Sequence, residues 1–475
     1  MTRRIVSTLI VALAAGAWPS AQPVFSGTDI FPPEEFSARR AKVIERIGDR
    51  VAILQGATER PGEQPFRQNN QFFYLTGVVE PRAIAVVDGR SKQTKVFLQP
   101  FNDRREQRMF GPGLHPGAEA AKATGLDAIL AREEFAHALS ELTADGRAIY
   151  TPFRAEVLGE ASSGDAVGLA RATRSDPWDG RESREEAFVA KLKAAAPRSE
   201  IRDLDPIVDA LRSIKSPREI AIIREATNIT GLAILEAMKD AKPGMFEYEL
   251  QADAELIFKR HGAYGGSYFA LIATGTNTVY SHYHRNTARL ADGDLVQFDY
   301  APDYKYYQSD VTRVFPANGH FTARQREFYT IYLRLYQALM TSIRVHAAAR
   351  DVIKDAAGKM TAILASYPFT DARIKAAATA FVDGYTRSAA TGGGTRERTM
   401  TLGHSVGMEV HDVRPAGPTL EPGMIFTIEP AMTIPEEHIG IRLEDMLLIT
   451  GSGYENLSAS VPIEIADLER AMRPR

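Results

Sequence analysis

Four carboxylates and one imidazole in this chain have the types and the spacing to hold divalent cations. Asp299 and Asp310 lie in Gln297-Phe-Asp299-Tyr300 and Gln308-Ser-Asp310-Val-Thr-Arg313. His404 lies in Leu402-Gly-His404-Ser-Val-Gly-Met-Glu-Val-His411-Asp412. Glu429 and Glu444 follow, in Phe426-Thr-Ile-Glu429-Pro430 and Gly440-Ile-Arg442-Leu-Glu444-Asp445. All five stand in apolar, strand-like runs. Without metal, so many buried carboxylates would repel one another and take up protons; two divalent cations would neutralise them. The oxygen-rich donor set favours Mn(II), with Co(II), Fe(II) or Zn(II) as alternatives, over a soft-metal site. A water shared by two such ions is a hydroxide near neutral pH, and the ions also polarise a carbonyl oxygen. A carboxylate that touches both metal and water can carry the proton. His282, in Ser281-His-Tyr-His284, and His411 are spare imidazoles that could stabilise a tetrahedral intermediate and handle a leaving amine.

Taken singly, an aspartate at a strand end is more often a turn residue, and a lone histidine more often a surface or satisfied core residue. The joint pattern is what carries the reading, and local structure must then position it. Leu295–Asp299 and the run from Asp310 to Phe315 read as two strands, with Pro302-Asp303 as the turn signal between them. A hairpin centred near Tyr304-Lys305 is expected to set the two aspartates opposite each other, about 5 Å apart at Cβ. Alternation along Ile441-Arg442-Leu443-Glu444 puts Arg442 and Glu444 on one face and the two aliphatic residues on the core face. The proline after Glu429 keeps that residue extended.

The rest of the chain bounds the answer. It has 475 residues, 44% of them apolar and 25% charged, and a net charge of −3. That charge gives no global field favouring nucleic acid or an anionic membrane. The chain has no cysteine, which excludes disulfides, thiolate ligands and cysteine nucleophiles. Arg3-Arg4 followed by an apolar run to Trp18, with small residues after it, reads as a signal peptide over residues 1–21, and so as export to a periplasm or the exterior. No other run is long and apolar enough for a stable membrane anchor.

Pro32-Pro33-Glu34-Glu35-Phe36 opens a helical pattern to about Ile47. Strand-like runs follow at Val51–Gln55, Phe72-Phe-Tyr-Leu-Thr76, Ala83-Ile-Ala-Val-Val87 and Thr94-Lys-Val-Phe-Leu98, then helical segments near 118–145. This mixture predicts an α/β unit over residues 30–165. A polar connector over 166–205 and a second unit over 206–470 follow. Ser216-Pro-Arg-Glu219 and Thr322-Ala-Arg-Gln325 are capping boxes that open long helices in the second unit.

With these residues in view, the chain resembles the pita-bread metallopeptidases, which include aminopeptidase P, prolidase and methionine aminopeptidase. The series Asp299, Asp310, His404, Glu429, Glu444 looks like their five-ligand signature. Phe72-Phe-Tyr-Leu-Thr-Gly77 with Glu80-Pro81 resembles the N-terminal domain of aminopeptidase P. Ile214-Lys-Ser-Pro-Arg-Glu219, Lys242-Pro-Gly-Met245 and Glu421-Pro-Gly-Met424 resemble parts of its catalytic domain. The resemblance implies an α+β fold: a C-terminal pita-bread catalytic domain, with a curved antiparallel sheet flanked by helices, and an N-terminal creatinase-like α/β domain. It implies that Asp299 binds one metal, that Asp310 and Glu444 bridge both, and that His404 and Glu429 bind the other. Glu429 would be the general acid/base. His282 and His411 would be substrate-side histidines, and Arg442 an arginine beside the metals. The implied reaction releases an N-terminal residue that precedes proline, usually with manganese, from peptides with proline in second place. Related enzymes are often homo-oligomers. A prolidase shares the ligands and is the alternative; a non-catalytic binding protein on the same fold is expected to have lost them. Three positions depart from the family pattern: Met400 where a histidine is common, Tyr300-Ala301, and Ala431.

Overall fold

A proline pair opens helix α1 (Pro33–Ile47), with Glu34 and Glu35 in its first turn and Phe36, Val43 and Ile47 on its buried face. The computed structural model to which it belongs describes residues 27–59, 65–99, 113–157, 162–391, 402–415 and 417–473. The expected signal peptide and Met400 lie outside the described residues. In chain order the first part contains β1 (Val51–Gln55), α2 (Asn70–Thr76), β2 (Ile84–Asp88), β3 (Gln93–Leu98), α3 (Ala118–Thr124), β4 (Ala128–Ala131), α4 (Phe135–Leu142) and β5 (Ile149–Thr151). It continues with α5 (Ser163–Ser175), α6 (Arg184–Ala195), β6 (Ile201–Asp203) and α7 (Asp205–Arg212). Six strands form one mixed sheet in the order β4-β3-β2-β1-β5-β6.

Two features differ from the sequence reading. The run Phe72-Phe-Tyr-Leu-Thr76 is helical, not a strand. The Asn69 side chain caps it by accepting from the Phe72 backbone N–H at 2.8 Å, and Gly77 closes it in the left-handed region at φ +67°. All seven residues of α2 are buried, so the helix has no polar stripe and its apolar run carries no helical period. In addition, the span 166–205 holds most of α5, all of α6 and strand β6, which pairs in parallel with β5 and so belongs to the sheet.

Helix α6 also places a carboxyl where water does not reach. Glu185 is 4% exposed, and its Oε1 has no hydrogen-bond partner. Burial, with the charge of Glu156 beside it, pushes Glu185 from the ordinary 4.5 up to about 7. Between those values the folded chain keeps a proton that the unfolded chain releases, so this group's contribution to stability is lost as pH rises through about 7. Glu185→Gln is therefore expected to raise unfolding stability by about 1–3 kcal/mol at pH 8 and by much less at pH 5. Urea unfolding at the two values checks this; an equal effect at both would contradict it.

The second part begins with α8 (Pro217–Asp240) and α9 (Glu247–Arg260). The expected capping box is present: Ser216 accepts from the Glu219 N–H, and the Glu219 carboxylate accepts from the Ser216 N–H at 2.9 Å. Short antiparallel strands follow: β7 (Gly265–Gly266), β8 (Leu271–Thr274), β9 (Leu295–Asp299), β10 (Pro302–Tyr304), β11 (Tyr307–Gln308) and β12 (Thr312–Pro316). Three helices, α10 (Ala323–Met340), α11 (Ala349–Ser366) and α12 (Ala372–Thr391), separate them from β13 (Ile425–Ile428), β14 (Ala431–Ile434), β15 (Ile439–Arg442), β16 (Asp445–Thr450), β17 (Gly453–Asn456) and α13 (Ile465–Ala471). The Thr322 capping box opens α10 as expected. None of the described helices is long and apolar enough to cross a membrane.

The two parts meet through apolar and ionic contacts. Phe73 of α2 stacks on Tyr306 at 3.8 Å between ring centroids, and Arg67 Nε donates to Asp303 at 2.7 Å. Tyr306 lies in the tight turn between β10 and β11, where both Lys305 and Tyr306 have positive φ. This turn is centred one residue after the Tyr304-Lys305 position expected from the sequence, and Pro302-Asp303, read there as the turn signal, lies in β10.

Candidate metal centre

The five predicted ligands come to the ends of strands, where backbone geometry is fixed by pairing but side chains can converge. Asp299 ends β9, Asp310 lies in the link from β11 to β12, Glu429 follows β13, and Glu444 stands between β15 and β16. His404 precedes Ser405, which bridges to Phe426 of β13. Its backbone N–H donates to Thr427 Oγ1 at 3.2 Å. Ligand atoms of Asp310, His404 and Glu444 all lie within 4.8 Å of one another. His404 Nε2 is 3.4 Å from Asp310 Oδ2 and 3.2 Å from Glu429 Oε1.

Asp299 and Asp310 do share a site, but not as directly opposed residues. The residue opposite Asp299 is Thr312, which places Asp310 diagonally across the ladder. A third residue closes the gap: the Tyr268 hydroxyl is 2.6 Å from Asp299 Oδ1 and 2.8 Å from Asp310 Oδ1. Thr312 uses the opposed position to donate to Glu444 Oε2 at 2.7 Å. Thr427 donates to Glu429 Oε1 at 3.2 Å. Tyr268, Thr312 and Thr427 escaped the sequence reading. The two threonines were discoverable as same-face neighbours, two residues from Asp310 and Glu429, whereas no spacing pointed to Tyr268.

Alternation across β15 holds as expected. Ile441 and Leu443 are fully buried in the core, while Arg442 and Glu444 face the site. Arg442 donates to Asp299 Oδ2 through Nη2 and to the Ser281 carbonyl at 3.0 Å through Nη1. It thereby ties the segment bearing His282 to the acidic cluster. His411 lies against His404, with ring centroids 4.1 Å apart, and His282 is 6.5 Å from His411. Burial, followed by the neighbouring His404, lowers His411 to about 4, so it is neutral at pH 7. Ala431 pairs with Arg442 across β14 and β15, and Tyr300 is buried against Gly266.

The donor set fits cations. Burial, then the charges of Asp299 and Glu429, hold the Asp310 carboxyl well above the usual carboxylate range. Glu444 is raised in the same way by burial and then by Asp310 and Glu429. Glu444 Oε1 is buried with no hydrogen-bond partner, which leaves a lone-pair donor beside Asp310 and His404. Arg442 alone does not balance four carboxylates. Positive charge of higher density, supplied by metal, removes both the repulsion and the orphaned oxygen.

Comparison with known proteins agrees with this geometry. Residues 221–451 match the family model "Metallopeptidase family M24", and residues 36–150 match "Aminopeptidase P, N-terminal domain". The chain is 32% identical to Xaa-Pro aminopeptidase of Escherichia coli K12 over 92% of this chain and 97% of that protein. It is 31% identical to Xaa-Pro aminopeptidase of Haemophilus influenzae over 93% of this chain and 97% of the other. The fold superposes on the solved structure of E. coli aminopeptidase P with the inhibitor Pro-Leu, with a TM-score of 0.71 and 31% identity, covering 93% of this chain and 98% of that one.

Proposed function

This chain belongs to metallopeptidase family M24 and carries the aminopeptidase P N-terminal domain, and from that premise we propose that it releases the N-terminal residue from peptides with proline in second place. The observation that carries the reading is the convergence of Asp310, His404 and Glu444, with Glu429 on His404 and Asp299 joined to Asp310 through Tyr268. Its relatives over nearly the whole chain are named Xaa-Pro aminopeptidases.

In this reading Asp299, Asp310, His404, Glu429 and Glu444 would hold the cations, with Asp310 and Glu444 available to both. The oxygen-rich set favours Mn(II). When bound, the cations supply an activated water and polarise the scissile carbonyl. The protein does the rest. Glu429 has a side chain 29% exposed, the most accessible of the four carboxylates, so it can exchange a proton with solvent and deliver it to the leaving nitrogen. Thr427 and His404 fix its orientation. His411, neutral at working pH, and His282 stand on the approach to the site, where they can hydrogen-bond the substrate peptide. Arg442 holds Asp299 in place through a charge-assisted hydrogen bond.

A matched set of substrates tests the reading: Xaa-Pro-Yaa, Xaa-Pro and Xaa-Ala-Yaa with Mn(II). Cleavage of the first before proline is expected. Cleavage of Xaa-Pro alone would assign a dipeptidase instead. Equal cleavage of the alanine peptide would refute proline selection. Export is also part of the proposal, supported by the basic and then apolar pattern of residues 1–21. A mature N-terminus beginning after Ala17 or Ala21 in the extracytoplasmic fraction would agree with it, and an intact N-terminus confined to the cytoplasm would not.

A further inference from the structure

Glu409 stands between His404 and His411 on the loop that carries both, is 1% exposed, and touches neither histidine in a hydrogen bond. Its carboxylate is held from three directions. Arg212 Nη2 of α7 donates to Oε1 at 2.9 Å, and Asn70 Nδ2 of α2 donates to Oε1 at 3.3 Å and to the Met408 carbonyl at 3.2 Å. Ser163, the first residue of α5, donates its backbone N–H to Oε2 at 2.7 Å and its hydroxyl to the same oxygen. A carboxylate on the N-terminus of a 13-residue helix also gains from the helix dipole. Asp412 completes the arrangement, accepting from Arg212 at 2.5 Å and from Lys215 Nζ at 3.1 Å. Two cations thus face two carboxylates, each side chain 1% exposed.

The loop between these charges is itself tightly set. The Asp412 N–H donates to the Ser405 carbonyl at 2.8 Å, and the Gln308 N–H to the Gly407 carbonyl at 2.7 Å. A side chain at Gly407 would meet Asp412 Oδ2 at 2.1 Å, so only glycine lets that carboxylate reach Lys215. Buried ion pairs of this kind add little net stability over well-packed apolar side chains, because desolvation offsets the attraction. What they do impose is one loop geometry.

We propose that Glu409 is a positioning residue of the metal centre: Asn70, Ser163 and Arg212 hold it, and through it they set where His404 and His411 stand, so that the N-terminal part of the chain tunes the catalytic loop. The inference rests on the reading of His404 as a ligand in a dimetal peptidase. None of these four residues is among the five assigned ligands, so the effect expected of them is on placement.

The test uses the full-length mature protein loaded with Co(II), whose visible absorption reports ligand geometry without any substrate. Asn70→Ala and Ser163→Ala each remove one side-chain donor to Glu409, and Glu409→Gln removes the charge. For the two donor variants we expect kcat to fall about 10-fold with KM little changed, and for Glu409→Gln about 100-fold, with an altered Co(II) spectrum throughout. Wild-type kcat and spectrum in folded variants, or a lowered melting temperature with neither changed, would overturn the proposal. Should Glu409→Gln not fold, the two donor variants decide. An altered spectrum in protein that cleaves none of the proline peptides would leave the positioning role standing and refute only the substrate assignment.

Discussion

Glu429→Gln is expected to give a folded protein with turnover on Xaa-Pro-Yaa lowered by about 10³-fold or more. The amide keeps the size and the extended backbone before Pro430, so Thr427 can still pair with it. It cannot accept and release a proton, and proton transfer by a positioned group contributes about 10²–10⁴-fold. Weaker binding of the cation beside His404 adds to the loss, because Glu429 also faces His404 Nε2 at 3.2 Å. The loss belongs in kcat more than in KM, since the interaction is made at the reacting atoms. Near-normal kcat at saturating metal would remove Glu429 from its acid/base role.

Asp310→Asn is expected to move activity and stability in opposite directions. Asp310 is buried, with Tyr268 at 2.8 Å and His404 Nε2 at 3.4 Å. In the metal-free protein its ionised form is disfavoured by burial and by Asp299 and Glu429. A neutral amide relieves that repulsion, so the metal-free variant should melt at or above the metal-free wild type. The same change removes a ligand that both cations use. Metal retained after desalting should therefore fall, and kcat/KM should drop by about 10²-fold or more. Metal analysis, melting curves and kinetics on one preparation read all three. Undiminished metal content would refute the shared-ligand role, and a large loss of melting temperature would show that Asp310 is a structural residue instead.

Much of this site could be read before the fold was known, for a physical reason. Strand alternation has a period of two, so Ile441 and Leu443 going inward forces Arg442 and Glu444 together, and the structure has them so. The bend expected near Tyr304-Lys305 falls one residue later, at Lys305 and Tyr306, and Pro302-Asp303, read as the turn signal, lies in strand β10. What failed was register. The Asp299–Asp310 pair is diagonal because Thr312 takes the opposed position: the hairpin is centred one residue later than the sequence reading placed it, and one residue at the centre moves every partner by two. The helix at Asn70–Thr76 was misread because complete burial erases the amphipathic signal, leaving the Asn69 cap and Gly77 as its only marks. Tyr268 reaches the site from 31 residues before Asp299, and Glu409, though on the His404 loop, is held by Arg212 from 197 residues away. Such partners leave no local pattern to find.

The central claim is that five side chains hold two cations and that peptide cleavage depends on them. Its most direct test is to strip the mature protein with chelator, then titrate Mn(II) back while following release of Xaa from Xaa-Pro-Yaa. The account predicts no cleavage in the stripped protein and full turnover near two equivalents of metal per chain. Undiminished cleavage by protein from which metal has been removed, or saturation of binding with no gain in turnover, would contradict it.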